Sequence, residues 1–130
     1  MKLAHARLVT NDVPGLTRFY QEVTGMAPTG DDRYVEFQAP SLTLAISNHT
    51  MIERQSAGAT MPEANRSVIL DFEVDNVDAG RARLGSIIRE FVLEPTTQPW
   101  GNRSMLFRDP DGNLINFFAP ASRCGRAELT

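Results

Sequence analysis

Leu16, Phe19, Tyr20 and Val23 stand at the i, i+3, i+4, i+7 spacing of one apolar stripe on a helix. Ahead of them Asn11-Asp12-Val13-Pro14 supplies a capping side chain and a first-turn proline, and Gly25 behind them suits a left-handed cap, so a helix is predicted from 13 towards 25. Residues 3–10 before it read as a strand. After the turn residues Thr29-Gly30-Asp31-Asp32, short runs at 34–37 and 42–47 separated by Ala39-Pro40-Ser41 predict a hairpin. From 48 to 66 the chain is polar and aperiodic, contains Gly58 and Pro62, and reads as a connecting loop. The same order then returns. It comprises a strand at 68–74, a helix opened by Asp75-Asn76-Val77 towards Leu84, a strand at 87–93, and a hairpin of 103–108 and 114–118 around Asp109-Pro110-Asp111-Gly112-Asn113.

The return of the order is a repeat. Asn11-Asp12-Val13 falls on Asp75-Asn76-Val77 at an offset of 64 (75 minus 11), and Phe37-Gln38-Ala39-Pro40 falls on Phe107-Arg108-Asp109-Pro110 at an offset of 70 (107 minus 37). Two tandem strand, helix, hairpin modules account for both, the second with a slightly longer insertion. Module one covers about 1–48, a linker about 49–66 and module two about 67–120, together one domain, with 121–130 as a C-terminal tail. Neither half has core enough to stand alone, so each sheet needs a second sheet or a partner chain over its remaining face.

Strand parity divides the side chains into two faces. Leu8, Leu44, Ile46, Val68, Leu70, Phe72, Ile115 and Phe117 form an apolar set predicted to pack on the helices. His5, Arg7, Thr43, Ala45, Ser47, Ile69, Asp71, Glu73, Leu114, Asn116 and Phe118 form a mixed set. Such a face is either open to solvent or, with tandem modules, the wall of a groove on which His5, Arg7, Asp71 and Asn116 converge.

Composition narrows the class. The chain has 130 residues, 42% of them apolar and 22% charged, and no apolar run reaches the roughly 18 residues of a membrane helix. His5, Arg7, Asn11 and Asp12 interrupt any secretory apolar core near the N-terminus, and the one cysteine, Cys124, permits no internal disulfide, so a cytoplasmic protein is expected. Thirteen basic residues, dispersed against sixteen acidic ones, give a net charge of −3 and no footprint for nucleic acid. Cys124 has no histidine near it and is read as inert, and Asp109 to Asn113 as turn chemistry rather than a calcium loop.

The duplicated module, the Phe19-Tyr20 to Gly25 helix end, and above all Gln98-Pro99-Trp100-Gly101 with Arg103 and Phe107-Arg108-Asp109-Pro110-Asp111-Gly112-Asn113 resemble the vicinal oxygen chelate superfamily. That superfamily comprises glyoxalase I, the bleomycin-resistance proteins and the extradiol dioxygenases. The C-terminal block is particularly similar to the bleomycin-resistance proteins. The resemblance implies an α+β fold of tandem βαβββ modules forming an open cupped mixed sheet, usually completed as a homodimer. Catalytic members hold a divalent metal on that face, and the matching positions here are His5, Ala45, Ile69 and Asn116. Alanine and isoleucine have no lone pair to give, and His49 stands only at a loop edge, so no metal, no cofactor and no catalytic residue are assigned.

The expected ligand-binding set is His5, Arg7, Trp100, Arg103, Met105, Asn116 and Phe118. Hairpin pairing is expected to place Arg103, Met105 and Phe107 on the cupped face with Leu114, Asn116 and Phe118. Trp100, bracketed by Pro99 and Gly101, either stacks on a planar guest or plugs the groove mouth or subunit contact. The function so implied is metal-free binding of a small organic molecule, with antibiotic sequestration as its specific version. The alternative is a glyoxalase- or dioxygenase-like enzyme with a rearranged metal site, or acid-base chemistry through His5.

Overall fold

The computed structural model describes residues 1–121 of the chain. They divide into two compact units, the first Met1–Ala64 and the second beginning at Asn65. In the first unit β1 (His5–Thr10) leads into α1 (Val13–Thr24), followed by β2 (Thr29–Gly30), β3 (Tyr34–Gln38), β4 (Thr43–Asn48) and a short α2 (His49–Gln55). The second repeats this plan with β5 (Ile69–Glu73), α3 (Val77–Leu84), β6 (Phe91–Thr97), β7 (Asn102–Arg108) and β8 (Leu114–Pro120).

Each unit holds one four-stranded mixed sheet, ordered β1-β4-β3-β2 in the first and β5-β8-β7-β6 in the second. β1 is parallel to β4 and β5 to β8, while the remaining pairs are antiparallel. The parallel pairs require a crossover, and α1 and α3 supply it. α1 forms as its sequence predicts. Asp12 Oδ1 accepts from Gly15 N at 3.0 Å, Gly25 closes the helix at φ 73°, and Val13, Leu16, Phe19, Tyr20 and Val23 are buried. Val35, Phe37, Leu44 and Ile46 are buried on the sheet beneath them. In the second unit α3 lies close on its sheet at Gly80, where a Cβ would lie 3.2 Å from a Phe117 ring carbon.

Three expectations need correction. The segment 48–66 is not all loop: α2 occupies its start, capped by Asn48 Oδ1 accepting from Thr50 N at 2.7 Å. It buries no residue, so it carries no apolar stripe for a sequence to display. The strand expected at 87–93 lies at Phe91–Thr97, because Ile87 and Ile88 both donate to the Leu84 carbonyl and extend the end of α3. β6 is an edge strand and tolerates Pro95 there.

The third correction concerns the last hairpin. Arg103, Met105 and Phe107 pair with Ala119, Phe117 and Ile115, not with the even-numbered residues of β8. They therefore lie on the helix-packed face. Phe91, Phe107, Phe117 and Phe72 form a chain of ring contacts there, with Phe107 and Phe117 edge to face at 5.1 Å. Cys124 and nearly all of the expected tail lie outside the described residues.

Candidate functional site

Register assembles the first unit's polar face row by row. Arg7, Ala45 and Glu36 stand side by side across β1, β4 and β3, with His5, Thr43 and Gln38 in one neighbouring row and Val9, Ser47 and Tyr34 in the other. Ala45, between two long charged side chains, is fully buried. A cavity of about 440 Å³ opens on this polar face, lined by His5, Arg7 and Tyr34.

Glu36 organises the wall of this cavity. Tyr34 Oη donates to Glu36 Oε2 at 2.7 Å, and His5 Nε2 lies 3.4 Å from the same oxygen. The Tyr34 hydroxyl, helped by Gln38 and His5, holds the Glu36 carboxyl below the usual carboxylate range. The same bond is the main reason the Tyr34 hydroxyl is pushed up, with burial adding to it and the charge of Arg7 opposing. Ser47, 2% exposed on this face, has an Oγ without a hydrogen-bond partner.

Because folding lowers the Glu36 pKa, the stability it contributes is present above the unfolded value and lost as pH falls through the folded one. Wild type should exceed Glu36→Gln in urea midpoint at neutral pH, and the gap should close below about pH 4.3. A gap that persists unchanged into acid would refute the assignment.

His5 and Arg7 are thus brought together as the sequence suggests. Tyr34 and Glu36 were missed, although the β3–β4 pairing of Phe37 with Leu44 places Glu36 beside Ala45. In the second unit Asn116 and Phe118 share a face with Asp71, Ser104 and Leu106. Asn116 Nδ2 donates to Asp71 Oδ1 at 3.0 Å, while its buried Oδ1 has no partner.

Arg103 and Met105 are corrected as members of that face. Arg103 binds the α3 carboxylate of Asp78 through Nε at 2.7 Å and Nη2 at 2.9 Å, and Met105 is fully buried. Trp100 lies in a loop between β6 and β7 and is 72% exposed. His49 opens α2, with Nε2 3.9 Å from Glu53 Oε1.

The donor set does not fit the family's catalytic metal. His5 has one carboxylate near it, Ala45 and Ile69 offer no donor, and Asn116 brings only a neutral amide oxygen. Among the described residues no group of three or more His, Cys, Asp or Glu could hold an ion, against about three protein ligands in a catalytic site. Nor is any described helix long and apolar enough to cross a membrane.

Each unit is therefore a βαβββ module whose sheet carries a polar face opposite its helix. The chain belongs to the glyoxalase/bleomycin resistance protein/dioxygenase superfamily, whose sequence model matches residues 2–117. It is 26% identical over 129 residues to the uncharacterized protein YraH of Bacillus subtilis (strain 168), covering 91% of this chain and 98% of that protein. A glyoxalase/bleomycin resistance protein/dioxygenase from Nocardioides shares the fold at a TM-score of 0.77 and 23% identity, over 92% of this chain and 83% of that one. A lactoylglutathione lyase from Agrobacterium tumefaciens does so at 0.69 and 22%, over 88% and 90%.

Proposed function

We propose that this protein binds a small organic molecule, without a resident metal, on the face of its first sheet where His5, Arg7, Tyr34 and Glu36 meet. The observation that carries this reading is the cavity beside a hydrogen-bonded His5, Glu36 and Tyr34 cluster. Its volume suits a ligand site, and a few convergent polar groups would fix a guest's orientation. Stoichiometric sequestration of an antibiotic is the specific version: a bound drug is kept from its target and no turnover is needed. The protein works in this reading as a cytoplasmic homodimer, the partner covering sheet surface that a small module leaves open. Asn116, Phe118 and Trp100 are proposed as contacts of the second unit.

The test is a calorimetric panel of glycopeptide, peptide and aromatic compounds against chelator-treated protein, with elemental analysis of the untreated sample. Binding should survive the chelator and weaken about tenfold or more in Glu36→Ala, which takes the carboxylate from the cluster. Stoichiometric zinc, nickel, iron or manganese whose removal abolishes binding would overturn the metal-free reading.

The His5 and Glu36 pair also favours a second reading, in which a carboxylate-oriented imidazole acts as general base in metal-free catalysis. Chemical change of a bound panel compound, followed by NMR and lost in His5→Ala, distinguishes an enzyme from a passive binder.

A further inference from the structure

Arg7 is placed unlike the arginines that pair in the second unit. Arg103 reaches Asp78 through two nitrogens, Arg81 reaches Glu94 in the same way, and Arg108 pairs with Glu90. Among the described residues Arg7 takes part in no such ion pair. The nearest carboxylate in its row is Glu36, but Ala45 stands between them, so two strand spacings of about 4.8 Å each separate the backbones. Glu36 Oε2 is moreover engaged by Tyr34 and His5. The Arg7 side chain is left exposed on the wall of the cavity.

A guanidinium presents a planar fork of N–H donors that matches carboxylate and phosphate oxygens in pairs. An anionic guest would supply the countercharge that the protein withholds from Arg7, while the Tyr34, Glu36 and His5 cluster meets its uncharged part. The geometry points to a small organic oxyanion, a carboxylate or a phosphate ester, as the ligand class of this site, with Arg7 as the group that grips its charged end. This rests on the small-molecule reading of the same cavity and narrows it.

Three probes with one ring in common test it by calorimetry: phenylacetate, phenyl phosphate and neutral phenylacetamide. At least one anion should bind about tenfold or more tightly than the amide, and that advantage should shrink with added salt. Whichever of the two binds more tightly separates carboxylate from phosphate. Arg7→Ala should erase the advantage and Arg7→Lys should restore part of it, with melting temperatures near wild type because the residue is exposed. An amide that binds as well as both anions, or a preference that survives Arg7→Ala, overturns the oxyanion assignment and leaves small-molecule binding standing. Absence of binding by both anions overturns it too, whereas failure of the broader panel is what would sink the parent reading.

Discussion

Phe107→Ala is expected to lower the unfolding free energy by about 3–5 kcal/mol, a large part of the 5–15 kcal/mol that holds an ordinary domain together. The ring is fully buried, edge to face with Phe117 at 5.1 Å and tilted against Phe91 at 6.4 Å, while Phe117 itself meets Phe72 at 6.1 Å. Phe107 thus links β6 to β8 inside the cluster beneath α3, and its removal leaves a void lined by rings fixed on two other strands. Collapse into that void would require the strands themselves to shift. Phe118→Ala is the matched control, since Phe118 is half-buried on the opposite face. It should cost about 1.5 kcal/mol or less. Urea midpoints at unchanged slope give both numbers. Equal costs would mean that β7 and β8 do not pair with Phe107 opposite Ile115.

That contrast also measures how far the sequence could be read. α1 was legible because three independent signals agreed: Asp12 at its cap, the stripe from Leu16 to Val23, and Gly25 at its end. The tandem order was legible because the helix-start residues and the Phe-x-x-Pro segments each recur. α2 was not, because none of its residues is buried and only Asn48 marks its start. In the last hairpin the turn was found but the pairing slipped by one residue, which exchanges the faces of a whole strand. Apolar residues on both faces of β8, Ile115 and Phe117 on one and Leu114 and Phe118 on the other, gave the pattern no means of rejecting the slip. The candidate site was half visible for a related reason. His5 and Arg7 stand out by type on a strand whose parity is plain, whereas Tyr34 and Glu36 join them only through the exact β3–β4 register, which the Ala39-Pro40-Ser41 turn left open.

Asp109→Ala should cost about 3 kcal/mol, because it strips several hydrogen bonds from a turn whose two end residues are buried. Asp109 is 5% exposed and Asn113 7%. Asp109 Oδ1 accepts from the backbone N–H groups of Asp111 and Asn113, both at 2.9 Å, and Oδ2 accepts from Asn113 Nδ2 at 2.7 Å. Asn113 Oδ1 in turn accepts from Asn65 Nδ2 at 3.2 Å, and Asn65 Oδ1 accepts from Val68 N at 2.9 Å just ahead of β5. The carboxylate therefore closes the turn and links it to the segment entering the parallel strand. An alanine leaves Asn113 N–H donors buried with nothing to receive them. Asp109→Asn should fall between the two, since it keeps one acceptor but can set an amide N–H₂ against that of Asn113. Urea unfolding gives the cost, and faster hydrogen exchange at the Asn113 amide would place the loss in the turn. The closed pair Asp109 and Asn113 is also what sets Arg108 opposite Leu114, and with it every face on β7. If Asp109→Ala costs under about 1 kcal/mol with exchange unchanged, turn chemistry does not choose the register, and the packing of Phe107 against Phe117 must hold it alone.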